Sequence, residues 1–441
     1  MKSLYYILFF VIFNSVYFFV ICQNVPNPRR EQTSTLVGTR LYFFGGFTII
    51  GASNEVWYLD LSSSFNISTP PWHNDVAMPV VNFFGTSCLS PIDNSTVFLI
   101  GGRMQIANTN INSNTASLYK FDSKTLQWTT PVINNFNSSF ETRNEMQAVI
   151  DNNGKIFVFG GINTGNDDTI TIAAYNDMSI LDITTMIWST QTQSQSVLKN
   201  IDYTATLLPS GLIVYVGGRG SNSSNLNKYI SDSNIRHKIL HLSASGSTIA
   251  SRSHHSAVLT QDGNIIIYGG SISESSQVAN VFSDIAVLNT NSWSWSVPNV
   301  SGIGAPPLTE HSAAIYKNYM ILAFGATSAT NVYTNKIYIL DTQNYTWVTT
   351  FNIPTTTNQI KQTQGNSNSS TDQANNSTTN FYIEIGVGAG VVILAVILFI
   401  IGFFIYKNRH KEEYVATPGD YHMREKPGIP PPETYSQTPM Y

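Results

Sequence analysis

Five glycine doublets at nearly constant spacing constrain this chain more than any other feature. Each ends a β-branched or aromatic run: RLYFFGG at Gly45 and Gly46, TVFLIGG at Gly101 and Gly102, KIFVFGG at Gly160 and Gly161, LIVYVGG at Gly217 and Gly218, NIIIYGG at Gly269 and Gly270. A sixth run, YMILAFGA, ends at Gly325, with Ala326 read in the place of the second glycine. The first glycines lie 56, 59, 57, 52 and 56 residues apart. A period of ~50 residues built of short strands marks a repeat array, because one such unit cannot bury its apolar face alone.

Two further markers keep register with the doublets. An apolar strand ends in Asp or Asn with a tryptophan six residues on: Asp122 and Trp128, Asp182 and Trp188, Asn289 and Trp295, Asp341 and Trp347. In the first repeat the pair is Asp60 and Trp72, stretched by SSSFNISTPP; the fourth carries KILHLSASGSTI and no tryptophan. Before the doublets stand HSAVLTQDG from His255 and HSAAIYKN from His311, aligned with MQAVIDNNG and YTATLLPSG. With these three markers the chain resembles the kelch-repeat family over about residues 30–350. That resemblance implies a β-propeller of four-stranded antiparallel blades. The period-2 runs of five to seven residues agree with it. The expectation is an all-β, six-bladed kelch-type propeller over residues 23–353, joined to one transmembrane α-helix and a disordered stalk and tail. The glycines serve close backbone approach and positive φ, the tryptophans inter-blade packing. The first repeat is complete from Thr33, so a strand shared at ring closure would come from Val25–Arg30 or from 351–353.

The chain ends set an expected compartment. Lys2 precedes an apolar stretch from Leu4 to Ile21, which reads as a signal peptide over residues 1–22, with an uncleaved anchor as the alternative. Residues 385–406 carry no charge and suffice to span a ~30 Å hydrocarbon core as a helix. Lys407, Arg409 and Lys411 follow, so the positive-inside rule puts the C-terminus in the cytoplasm. The expectation is a single-pass type I protein of the plasma membrane, N-terminus outside, with an internal secretory membrane as the alternative. Gly386 and Gly390 have the GxxxG spacing of a helix dimer. Nine sequons precede the span, at Asn66, Asn94, Asn137, Asn222, Asn299, Asn344, Asn368, Asn375 and Asn376, all candidates for N-glycosylation. Only 23 Lys and Arg stand against 27 Asp and Glu, a weak and balanced field, which argues against nucleic acid. Cys22 and Cys88 are too few for a disulfide scaffold; Cys88 reads as a small buried hydrophobe.

If strands run a to d outward, the a–b and c–d turns share one face and are short. The b–c and d–a connections share the other and are long, which makes that face the expected binding surface. Its loops are mostly Asn, Ser, Thr and Gly, fitting an extracellular protein or glycan. No catalytic, cofactor or metal site is read, and the chain is expected not to be an enzyme. Kelch-like propellers also include galactose-oxidase-type copper radical enzymes, which is the alternative reading. Those need copper-binding histidines and tyrosines and a cysteine–tyrosine crosslink; no Tyr-His pair stands in a lumenal loop.

Residues 354–384 form a Ser/Thr/Asn-rich stalk without apolar periodicity, and 407–441 a tail with the same lack. In the tail, Arg424, Pro427 and Pro430 have the three-residue spacing of a polyproline II ridge, a candidate ligand for a cytoplasmic polyproline-binding adaptor.

Overall fold

The computed structural model describes residues 25–353 except 107–108, 110–117, 135–142, 164–172, 192–198, 221–229, 235–237, 242–243, 275–276 and 328–331. Every regular element among them is a β-strand. The signal segment 1–22, the stalk 354–384, the span 385–406 and the tail 407–441, with Gly386, Gly390, Arg424, Pro427 and Pro430, lie outside the described residues. Among the described residues no helix is long and apolar enough to cross a membrane.

Six sheets of four or five strands carry the six repeats. Sheet 1 orders Thr33–Val37, Arg40–Phe44, Val56–Asp60 and Trp72–Asp75 as strands a to d. Sheet 3 repeats the pattern with Ala148–Ile150, Lys155–Phe159, Met178–Asp182 and Ile187–Gln191. Each is an antiparallel meander in which strand b, the run ending at the glycine doublet, pairs with both a and c. Strand a of each sheet lies beside strand a of the next, and strand a of sheet 6 beside that of sheet 1.

Among the described residues the buried apolar side chains fall into separate clusters, with no one common core. Alternating side chains on both sheet faces build a succession of inter-sheet cores. Tyr42 and Phe44 of sheet 1 meet Val97, Leu99 and Phe121 of sheet 2; Tyr268 and Ile266 of sheet 5 meet Leu322, Leu340 and Trp347 of sheet 6. Cys88 is buried in the core around sheet 3, and burial pushes its thiol up to about 12. The strand-d tryptophans fill the gap toward the preceding sheet. Trp128 lies 5.8 Å from Phe44, Trp347 5.5 Å from Tyr268 and Trp72 5.5 Å from Phe324.

The doublets have two separate tasks. At Gly101 (φ 56) a Cβ would overlap the Arg143 carbonyl oxygen of the next sheet. The amide of Gly102 then donates to that same oxygen at 2.9 Å. The sixth repeat corrects the sequence register by one residue. Phe324 holds φ 64 in the place of the first glycine, and Gly325, at φ 94, acts as the second by donating to Arg29 O at 2.8 Å. Phe324 is tolerated there because its ring is fully buried against Phe43 and Trp72.

Two other segments differ from the sequence expectation. In the fourth repeat strand c is Ile230–Asn234 and strand d is Lys238–His241, so KILHLSASGSTI opens in strand d. Among the described residues neither Arg29–Arg30 nor Thr350–Phe351 adds a strand to sheet 1. Arg29–Arg30 pairs instead with Phe47–Thr48, and Arg29 bridges to Thr334 of the sixth repeat. Thr350–Phe351 pairs with Phe65–Asn66. Both segments therefore clamp the first repeat to the sixth from outside the main sheets.

Candidate functional site

At the entry to each strand a, two residues before it in four sheets, three before it in the third and within Asn200–Leu207 in the fourth, the backbone turns into the left-handed region: Glu31 (φ 59), Phe84 (57), Glu145 (58), Asp202 (56), His254 (55) and Glu310 (58). None is glycine, so each conformation costs about 1 kcal/mol or more. Their amides explain the cost. Phe84 N donates to Glu31 O (3.1 Å), Glu145 N to Phe84 O (3.1 Å), Asp202 N to Glu145 O (3.2 Å), His254 N to Asp202 O (3.0 Å), Glu310 N to His254 O (3.0 Å), and Glu31 N to Glu310 O (3.0 Å). The six donations return to their starting residue. Six side chains from six repeats are thereby fixed around one axis.

Two residues upstream, buried side chains brace this arrangement. Arg143 donates to Gly160 O at 3.3 Å and to Asp177 at 2.8 Å; Arg252 donates to Gly269 O at 3.0 Å and to both Asp284 oxygens at 2.7 and 2.8 Å. Arg29 does the same with Gly45 O and Glu55. In the repeats between, Asn82 and Asn200 supply the bond, to Gly101 O (2.9 Å) and Gly217 O (3.3 Å). The order Arg, Asn, Arg, Asn, Arg ends with Leu308 in the sixth repeat.

Four of the six ring residues are acids, and arginines interleave with them. Arg30 bridges Glu31 (2.6 Å) and Glu310 (2.7 Å). Arg103 pairs with Glu145 (3.2 Å), and Arg219 with Glu145 (3.4 Å) and Asp202 (2.6 Å). Arg103 and Arg219 each directly follow a glycine doublet, Arg103 opening the strand Arg103–Ile106 and Arg219 lying near the end of Ile213–Gly220. His254 Nε2 lies 3.1 Å from Asp202. Beneath the ring is a cavity of ≈ 210 Å³ lined by hydroxyl and amide side chains including Thr33, Ser87, Gln147, Ser256 and Ser312. His255 and His311, next to the ring, donate to or accept from Thr204 (3.1 Å) and Ser256 (2.8 Å) through Nε2.

The environments push these groups apart. Burial, then the nearby Asp202 charge, pushes Glu145 up to about 7. Burial and Glu310 hold Glu31 well above the usual carboxylate range. Burial also works against Asp202, but His254 and Arg219 outweigh it and hold that carboxyl low. Burial opposes the His254 charge as well, yet Asp202 raises its pKa. Burial depresses His255 and His311 to about 3, so both are neutral near pH 7. The arrangement offers fixed donors and acceptors of both signs in a polar well. Among the described residues no group of three or more His, Cys, Asp or Glu could hold a metal ion. His73 stacks on Tyr58 at 4.8 Å in the outer strands of sheet 1, away from Cys88 in sheet 2.

The ring sits where d–a connections end and b–c connections begin, the end of the strands that sequence reading chose for binding. Much of those long connections lies outside the described residues, as do Asn137, Asn222, Asn368, Asn375 and Asn376. Asn66, Asn94, Asn299 and Asn344 are exposed. The ring itself escaped sequence reading. Its signal was the residue before each aligned motif: Glu145 before MQAV, Asp202 before YTAT, His254 before HSAV and Glu310 before HSAA.

Comparison with known proteins bears on this geometry. The profile of the KLHDC2/KLHL20/DRC7 kelch-repeats domain matches residues 68–233 and 202–376. Kelch domain-containing protein 3 of Rattus norvegicus, and likewise of Mus musculus, is 25% identical over 322 residues, 68% of this chain and 78% of the relative. Rho GTPase-activating protein gacHH of Dictyostelium discoideum is 32% identical over 84 residues, which is 19% of this chain and only 5% of that protein's length. Among solved structures, that of YjhT superposes with a TM-score of 0.54 at 14% identity, covering 72% of this chain and 96% of its own; it speaks to the fold alone.

Proposed function

The chain belongs to the kelch-repeat family, and from that premise we propose that its β-propeller is an interaction module holding a protein or glycan at the charged channel mouth. The observation that carries the reading is the ring of Glu31, Phe84, Glu145, Asp202, His254 and Glu310, one residue from each repeat, held in strained backbone above a polar cavity. The same cycle of hydrogen bonds supports six blades closed, among the described residues, without a shared strand, with Arg29–Arg30 and Thr350–Phe351 acting as clamps. Arginines and carboxylates that already pair with one another favour a ligand with both donors and acceptors, since a ligand of one strong charge would be attracted by one half of each pair and repelled by the other.

The setting is proposed from sequence. An uncharged 385–406 followed by Lys407, Arg409 and Lys411 supports a single-pass type I protein with the propeller outside the cell, the stalk spacing it from the bilayer. Accessible sequons such as Asn66 and Asn344 suit that side of the membrane. Gly386 and Gly390 would let two chains pair, and Arg424, Pro427 and Pro430 would engage an adaptor inside. Membrane-impermeant labelling of intact cells expressing a tagged chain, with parallel glycan and peptide arrays, tests the reading. Labelling of the propeller together with array partners lost on Arg219→Ala is expected. Partners that bind wild type and Arg219→Ala alike would remove the mouth as the site.

A further inference from the structure

The outer strand of a blade presents a row of unpaired main-chain groups, which another extended segment can pair. In three sheets the chain covers this edge with its own preceding connection, laid parallel to strand d. Asn134 pairs with Ile187 in sheet 3, Ser245 and Gly246 with Ser294 and Trp295 in sheet 5, and Ser301 with Thr346 in sheet 6. The register is the same each time: the residue before the tryptophan faces an Asn or a Ser. Asn134 N donates to Met186 O (2.8 Å), Ser245 N to Trp293 O (2.9 Å), Ser247 N to Trp295 O (2.9 Å), Ser301 N to Tyr345 O (3.1 Å), and Trp347 N to Ser301 O (2.9 Å). In sheets 5 and 6 the next residue is glycine, at φ 87 and 83. A Cβ there would fall 2.2 Å from Trp295 O or 2.3 Å from Trp347 O.

Sheet 2 has the same edge without this cover. Its strand d is Gln127–Thr129, entered through Leu126 at φ 58, the conformation of Met186, Trp293 and Tyr345 (φ 55, 52 and 52). The connection that precedes this sheet, residues 76–79, accepts a side-chain bond, from Trp128 Nε1 to Val76 O at 3.2 Å. Among the described residues no strand or bridge pairs with the outer side of Gln127–Thr129. Trp128 is accordingly half-buried, whereas Trp188, Trp295 and Trp347 are 2%, 5% and 8% exposed. Leu126, Gln127 and Thr129 are exposed.

We propose that the outer edge of sheet 2 binds an extended Ser-Gly segment of a partner protein, laid parallel to strand d in the register that Ser245 with Gly246, and Ser301 with Gly302, occupy on sheets 5 and 6. Main-chain bonds to Leu126 O, Trp128 N and Trp128 O supply the affinity. The glycine, which alone fits against the tryptophan carbonyl, supplies the specificity. Two of this chain's own Ser-Gly pairs are already seated on sheets 5 and 6, and the third closes a turn, with Gly211 N donating to Leu208 O at 2.9 Å. The segment therefore comes from another protein and not from a second copy. This site is on the outer rim and independent of the channel mouth.

Fluorescence anisotropy of a fluorescein-labelled peptide of residues 299–305, NVSGIGA, titrated with full-length protein, tests it. Wild type binds the peptide saturably, and the same peptide carrying Gly302→Ala binds at least about tenfold more weakly. Leu126→Cys keeps the wild-type affinity until a bulky maleimide is attached at that exposed position, and then loses at least about tenfold. Wild type treated alike, with Cys88 buried, is unchanged. No saturable binding by wild type, equal binding of the two peptides, or undiminished binding to maleimide-modified Leu126→Cys overturns the proposal. Pairing of two copies through this edge, seen as concentration-dependent dimerisation that the peptide does not displace, overturns it as well.

Discussion

Removing the exposed partner of the Arg252–Asp284 pair should destabilise the propeller about as much as removing the buried one. The Arg252 side chain is 2% exposed and Asp284 46%. Arg252 Nε donates to Ala250 O at 3.1 Å and Nη1 to Gly269 O at 3.0 Å, while the guanidinium lies 4.4 Å over Phe282. In Arg252→Met, Asp284 regains water, but two carbonyls lose their donor, at about 1–3 kcal/mol for each that stays dry; the methionine keeps some packing on Phe282, which puts the total near 2–4 kcal/mol. In Asp284→Ala a buried cation keeps its carbonyls but loses its counter-charge, about 3–5 kcal/mol before partial access of water reduces it. The double variant has no buried charge left, so it should resemble Arg252→Met alone. The two losses are then strongly non-additive, with a coupling of about 2–3 kcal/mol, well beyond the ~0.5 kcal/mol scatter of independent sites. Urea unfolding followed by tryptophan fluorescence, read as midpoint shifts at constant slope, measures all three. Additive losses, or an Asp284→Ala loss below about 1 kcal/mol, would refute the buried-brace reasoning.

Glu145→Gln should gain stability relative to wild type as pH rises from 5 to 8. With its folded value near 7 against an ordinary 4.5, the stability Glu145 contributes is whole below pH 4.5 and lost as pH rises through 7; thermal midpoints of both proteins across that range check it, and a constant difference would contradict it. His255 and His311 act oppositely. Held near 3 against 6.5, they remain neutral while the unfolded chain takes up protons, so stability falls as pH drops from about 6.5 toward 3. His311→Gln should flatten that acid-side slope in a pH series of urea midpoints. Phe324→Gly removes the strain of φ 64 but also the ring against Phe43 and Trp72. Loss of the aromatic, about 3–5 kcal/mol, outweighs about 1–2 kcal/mol of relieved strain, so the thermal midpoint falls.

What could be read in the sequence was what the backbone itself demands. The doublets at Gly101 and Gly102 are visible because only glycine escapes the Arg143 carbonyl while reaching it with an amide. Where a side chain meets the same demand, as Phe324 does, the marker slips by a residue. The fourth repeat misled because strand c, ISDSN, carries no apolar run; its pairing with Ile213–Val216 makes it a strand. The ring was hidden for a different reason. Glu31, Asp202 and His254 share no residue type, only a backbone conformation and a place on the axis, and neither appears until six repeats are set side by side. The alternation of Arg143 and Arg252 with Asn82 and Asn200 was concealed likewise, since two different side chains serve one carbonyl.

The measurement that bears most directly on the channel mouth is calorimetric titration of full-length protein with the strongest array partner, comparing Arg219→Ala with Lys155→Ala. Arg219 is 35% exposed and links Glu145 to Asp202 across two repeats, while Lys155 stands at the far end of the strands. The account predicts a loss of about tenfold or more in affinity for Arg219→Ala and affinity near wild type for Lys155→Ala. Undiminished affinity in Arg219→Ala, with the loss appearing in Lys155→Ala, would contradict it.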